Sequence, residues 1–188
     1  NWKDMEICMG IVRKLHQSGL TVDHSFDIRE RIDFYERLCL QHGGIPFEDY
    51  EKVRGWMNEL MDRLDQMDRP QCLCHIDANV DNFLMFEDGS AKLLDWEYAG
   101  MCDPIMDISM SAIYSYYDAE QTEKLLEMYL ERKPSKEEYY SVFANAALGG
   151  FLWCLWAVYK AALGEEFGEY TIIMYRYAKS YYKKLKAL

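Results

Sequence analysis

The hydrophobic period of this chain changes twice, and the two changes enclose a short island of polar residues. Up to about residue 64 apolar side chains recur every three to four positions, the mark of amphipathic helices. From Pro70 to Trp96 the pattern is short and strand-like: "CLCH" alternates, and "FLMF" and "AKLLDW" flank the turn sequence "EDGS" as the arms of a β-hairpin. After Pro104 the helical period returns and holds to the end. A chain of this kind can fold as a mainly α domain with a small β-hairpin region, its chemistry carried by the island.

The helical segments have readable limits. Trp2 to His16 forms the first, with Met5, Cys8, Met9, Val12 and Leu15 on one face, and "QSGL" stops it. "FDIRERIDFYERLCLQ" forms the second, with Ile28, Ile32, Tyr35, Leu38 and Cys39 inward, and "GGIP" breaks it. A third follows Pro46 and runs to about Leu64, burying Val53, Trp56, Met57, Leu60, Met61 and Leu64. Beyond the island, Asp118 with Gln121 and Ser135 with Glu138 have capping-box spacing at two helix starts. The last helix covers about Tyr170 to Lys186. The most apolar stretch, "SVFANAALGGFLWCLWAVYKAAL", is interrupted by Gly149 and Gly150 and ends in charges, so it reads as a buried helix and no membrane insertion is expected.

Composition narrows the partners. The 188 residues suit one domain. A net charge of −11 argues against nucleic acid and anionic membranes and suits a cationic small molecule. Six cysteines without a signal peptide or regular spacing read as free thiols in a reducing, cytoplasmic setting. The 15 tyrosines and 5 tryptophans are a high aromatic load; most read as amphipathic rings at core edges, and some are candidates for a site.

The island itself, "QCLCHIDANVDN", admits two metal readings. Cys72, Cys74 and His75 suggest zinc, but the cysteines are spaced C-x-C on a strand and no second close pair exists in the sequence, so strand packing is favoured for them. The oxygens make the stronger case. His75-x-Asp77 is followed by Asn82 and, after the hairpin, by Asp95 in "LLDWE". An aspartate can take the proton of an attacking hydroxyl, while an amide oxygen and a second carboxylate are hard donors suited to Mg²⁺. Protein kinases order the same groups as H-R-D-x₄-N with a metal-binding aspartate on the next strand.

At this point the chain resembles a family. "CHIDANVDNFLMFEDGSAKLLDWEYAGMCDPIMDIS" is similar to the catalytic segment of choline/ethanolamine kinases, within the aminoglycoside-phosphotransferase-like kinases. The resemblance implies the C-terminal lobe of a protein-kinase-like fold over residues 1–188. Asp77 would be the catalytic base, Asn82 and Asp95 the Mg²⁺ ligands, and His75 and Asp107 the structural support of the loop. Glu97 and Tyr98 match the Glu-Tyr that follows the metal aspartate. "FLWCLW" and "EEFGEYTIIMYRYAKSYY" resemble the family's W-x-x-W and the tyrosine-rich helix after it. A quaternary ammonium has no N–H to donate, so aromatic faces hold it. Tyr98, Trp153 and Trp156 are the cage candidates, with Tyr170 and Tyr177 behind them; a core stripe is the other reading of the tryptophan pair. Where some members carry an acidic residue seven positions after the bracing aspartate, this chain has Tyr114.

The implied activity is an ATP- and Mg²⁺-dependent phosphotransfer to the hydroxyl of choline or a similar amino alcohol. Its rivals are a kinase for another cationic alcohol, such as ethanolamine or an aminoglycoside, and a choline-binding module without turnover. No glycine-rich phosphate loop, strand lysine or partner glutamate is found. "NWKDMEICMG" opens already in helical pattern. The N-terminal nucleotide-binding lobe is therefore expected to be missing, and the isolated lobe to be feeble or inactive.

Overall fold

Helix α1 (Trp2–His16) forms as its spacing dictates: Met5, Cys8, Met9 and Val12 are buried on one face, and the Asn1 side chain accepts the N–H groups of Lys3 and Asp4 at its start. The computed structural model describes residues 1–187. Among the described residues follow α2 (Ile28–Gln41), α3 (Tyr50–Asp65), β1 (Cys72–Cys74), a 3-10 turn (Val80–Asn82), β2 (Phe83–Met85), β3 (Ala91–Leu93) and β4 (Gly100–Cys102), then α4 (Ile105–Tyr114), α5 (Ala119–Leu130), α6 (Lys136–Ala162) and α7 (Tyr170–Lys186). The mainly α reading with a small hairpin region holds. The single domain expected from length is a chain whose contacts divide into two units, each made of two separated segments.

The first unit comprises Asn1–Phe26 and Arg69–Asn145. In it β2 and β3 form the expected antiparallel hairpin, pairing Phe83 with Leu93 and Met85 with Ala91. Its turn is closed by the Phe86 N–H on the Ser90 carbonyl (2.8 Å), and Gly89 there adopts φ +80°. Sequence reading did not foresee β4. It pairs antiparallel with β1 in the register Cys72–Cys102, Leu73–Met101, Cys74–Gly100. Three residues of "GMC" carry too little alternation to announce a strand. Gly100 is required there because a Cβ would stand 2.8 Å from the Phe26 nitrogen, where Ser25 and Phe26 run beside β4. Helix α4 is buried along nearly its whole length, from Ile105 to Ile113. Both expected capping boxes are present: Asp118 with Gln121 starts α5, and Ser135 with Glu138 starts α6.

The second unit comprises Asp27–Asp68 and Ala146–Leu188. Its α3 buries Val53, Met57, Leu60, Met61 and Leu64, as the pattern predicted, while Trp56 lies at the edge and stacks on Tyr182 with centroids 4.6 Å apart. Polar ties supplement the core: Tyr175 donates to Asp49 (2.9 Å) and Tyr182 to Glu59 (2.6 Å), both linking α7 to α3 or its start. Helix α6 runs unbroken through Gly149 and Gly150, so the glycines interrupt the apolar run without ending the helix. Gly150 has a packing reason: a Cβ there would meet the Met174 carbonyl oxygen at 2.7 Å and the Tyr177 Cβ at 2.9 Å. Helix α6 is long and apolar enough to cross a membrane, yet 94% of its apolar window is buried inside the protein.

Candidate active site

The loop after β1 is held from below by one carboxylate. Asp107, on α4 and fully buried, accepts the backbone N–H of His75 (2.8 Å) and of Ile76 (2.6 Å). It also bonds Nε2 of His16 on α1 (2.9 Å). Ile76 sits at φ +70°. For a β-branched residue that conformation is an outlier costing about 1–3 kcal/mol, and it persists only where surrounding bonds over-determine it. The Ser111 hydroxyl adds a bond to the Ala78 carbonyl (2.6 Å), so α4 grips the loop twice. His75 is buried; its ring bonds the Leu94 carbonyl through Nε2 (2.9 Å) and meets Trp96 edge-on, with centroids 4.7 Å apart.

This support aims Asp77. Each of its carboxylate oxygens receives one amide: Asn79 Nδ2 at 3.0 Å on Oδ1 and Asn82 Nδ2 at 2.9 Å on Oδ2. Asn82 Nδ2 also donates to the Asp77 carbonyl (2.8 Å). Both protons of the Asn82 amide are thus committed, and its Oδ1 remains as an acceptor. The hairpin does what its length suggested: the Leu94 N–H bonds the Asn82 carbonyl (2.9 Å), which returns Asp95 to the neighbourhood of Asn82. Asp95 is exposed and, like Ile76, adopts a left-handed backbone, φ +62°. A carboxylate and an amide oxygen are both hard donors, a set that would fit Mg²⁺ and not a soft ion.

Beyond Asp95, Trp96 is 45% exposed, Glu97 is exposed and Tyr98 is half-buried. In the second unit Trp153 and Trp156 meet edge to face at 6.1 Å. They are not equivalent. Trp153 is only 4% exposed, a core residue, while Trp156 is half-buried and touches Phe167 (4.8 Å), which in turn lies 6.3 Å from Tyr170. Trp156, Phe167 and Tyr170 thus make a partly accessible run of rings. Tyr177 is half-buried and stacks on Tyr181 at 5.5 Å.

Four contributors were given no site role from the sequence. His16 closes the Asp107 network from 91 residues away, and nothing local announces that partnership. Asn79 fixes the second oxygen of Asp77 and caps the 3-10 turn through its Oδ1; its place two residues after Asp77 was a usable signal. Asp103, 2% exposed, takes Arg69 (3.2 Å) and Ser141 (2.9 Å) and caps the entry to α4. Phe167 joins the rings through the "EFG" motif already noted.

Comparison with known proteins gives the family and the fold. The model of the phosphotransferase enzyme family matches residues 6–141. Protein LicA of Haemophilus influenzae is 32% identical over 167 residues, covering 85% of this chain and 61% of that protein. The crystal structure of choline kinase LicA from Streptococcus pneumoniae superposes with a TM-score of 0.83 at 30% identity, covering 96% of this chain and 63% of that one. A choline/ethanolamine kinase family protein from Mesorhizobium loti superposes with a TM-score of 0.79 at 25% identity, covering 97% of this chain and 61% of that one. The chain spans about six-tenths of the length of these relatives.

Proposed function

Because this chain belongs to the phosphotransferase enzyme family, we propose that it supplies the catalytic loop and acceptor-binding residues for transfer of the γ-phosphoryl of ATP to the hydroxyl of choline or a similar amino alcohol. The observation that carries this is the double amide grip on Asp77, with Asn82 contributing one amide and Asp95 tied beside it through Leu94. In this reading residues 1–188 are the C-terminal lobe. The glycine-rich phosphate loop and strand lysine lie outside them, in line with a chain that spans about six-tenths of its relatives.

Asp77 orients the acceptor hydroxyl. As the hydroxyl oxygen bonds to the γ-phosphorus and the bridging β–γ oxygen leaves with ADP, Asp77 takes the hydroxyl proton. Asn79 and Asn82 hold that carboxylate in one rotamer, so its orientation is set before substrate arrives. Asn82 Oδ1 and the Asp95 carboxylate would hold Mg²⁺, which when bound neutralises charge on the transferring phosphates. One solved neighbour of this chain is described as LicA in complex with AMP, which supports nucleotide use.

The ring run and the net charge of −11 support a cationic acceptor. Rings favour a quaternary ammonium over the several primary ammoniums of an aminoglycoside, which call for carboxylates. A cytoplasmic setting, where ATP meets free thiols, goes with this reading.

The test uses the full-length parent protein. Asp77→Asn keeps the shape of the side chain and removes the base; kcat for phosphocholine formation is expected to fall by about 10²–10⁴-fold, with the melting temperature unchanged. Turnover retained within threefold in that variant ends the assignment. Choline, ethanolamine and an aminoglycoside compared as acceptors by kcat/KM rank the substrate classes.

A further inference from the structure

The fold assembles a second set of metal-ligating groups away from Asp77, Asn82 and Asp95. Cys72 and Cys74 lie on one face of β1, as alternate residues of a strand do, with their sulfurs 3.7 Å apart. Register places Cys102 of β4 directly across from Cys72, on the same face, and the Cys74 thiol donates to the Cys102 carbonyl (3.5 Å). Above them His16 of α1 brings a ring nitrogen within 4.8 Å of both the Cys72 and Cys74 sulfurs. The site is enclosed: Cys74 is fully buried, Cys102 is 8% exposed, the His16 side chain is 3% exposed and Cys72 is half-buried.

We infer that His16, Cys72 and Cys74 form a binding site for a thiophilic divalent ion of the zinc class. The sequence could not show it, because C-x-C lacks a second close pair; the third ligand comes from a helix 56 residues upstream of Cys72.

Three features fit a metal. Two thiolates on a tetrahedral zinc, at about 2.3 Å each, stand about 3.8 Å from one another, and the observed sulfur separation is 3.7 Å. A disulfide fits poorly, since alternate residues of an extended strand have Cα atoms about 6.6 Å apart, near the far limit for that bond. The third feature is the partner behind the histidine. His16 Nε2 is held by the Asp107 carboxylate (2.9 Å), the carboxylate–histidine pairing that orients metal-bound imidazoles. Its Nδ1 meets only the Tyr129 hydroxyl (2.8 Å), a neutral phenol whose ionisation burial pushes up. Nδ1 is therefore the ligating atom, and the Tyr129 hydroxyl is what gives way.

Each thiol that binds yields its proton to solvent. The ion's role is a clip. It ties α1 to β1 directly beneath the loop that Asp107 supports.

The test is titration of the reduced chain, free of oxygen, with Co²⁺ and then Zn²⁺. The expected result is a thiolate-to-cobalt charge-transfer band saturating at one equivalent and abolished by Zn²⁺. Cys72→Ser is expected to weaken Co²⁺ binding at least tenfold, while Cys39→Ser, a buried cysteine of the second unit, leaves it unchanged. X-ray absorption on the zinc-loaded wild type reads the ligands without any variant: a shell of two sulfurs at about 2.3 Å supports the site. No charge-transfer band, a band that survives Cys72→Ser, or a zinc shell of oxygen and nitrogen alone overturns it.

Discussion

The Asp107 carboxylate receives the N–H of Ile76 at 2.6 Å while Ile76 itself holds φ +70°. The short bond and the strained backbone belong together. A left-handed β-branched residue relaxes toward extended geometry unless its N–H is anchored, and relaxation would turn Asp77, the next residue, away from Asn79 and Asn82. The buried aspartate thus sets the direction of a carboxylate it does not touch.

Asp107→Ala strands two backbone N–H groups and the His16 ring in a fully buried place. We expect a loss of about 3–5 kcal/mol in unfolding free energy, measured by denaturant titration. A loss below 1 kcal/mol would show that the loop is held by other contacts.

Gly150→Ala introduces a methyl against the Met174 carbonyl oxygen at 2.7 Å and the Tyr177 Cβ at 2.9 Å. Neither neighbour is the free end of a flexible side chain, so helix α7 must shift along α6. The expected cost is about 1–3 kcal/mol, although alanine is the better helix former by about 1 kcal/mol. Thermal melts of the two proteins decide it, and an unchanged or raised midpoint rejects the close-approach explanation.

The two tryptophans of "FLWCLW" should separate cleanly. Trp153→Ala empties a core position and is expected to destabilise by about 3–5 kcal/mol. Trp156→Ala removes an accessible ring beside Phe167. It is expected to weaken choline binding by about 5–30-fold, the equivalent of about 1–2 kcal/mol of cation–π attraction, with little change in stability. Calorimetric titration of choline checks it; unchanged affinity in Trp156→Ala removes that ring from the acceptor site.

The start of α6 carries a pH signature. The Arg132 guanidinium, followed by the Ser135 backbone N–H, holds the Glu138 carboxyl down to about 2. An unfolded glutamate titrates at about 4.3. Because the folded value is the lower one, the stabilisation is complete above about pH 4.5 and is lost as pH falls toward 2. Glu138→Gln should be modestly less stable than the parent at pH 7, and the difference should close across that window. A gap that stays constant from pH 7 to pH 2.5 would mean that charge has no part in the cap.

The sequence by itself determined what depends on neighbours within a few turns of chain. The helices, both capping boxes and the hairpin were legible because helix and hairpin hydrogen bonds link nearby residues and leave a period or a turn signature. The nearness of Asp77, Asn82 and Asp95 was legible for the same reason: five residues and one hairpin separate them. Tertiary structure alone decided the rest. The bond from His16 to Asp107 spans 91 residues, and the pairing of Cys72 with Cys102 spans 30 in strands only three residues long. Spacing also left Trp153 and Trp156 alike. Their difference comes from what packs around each ring, because burial is a property of neighbours brought together by folding.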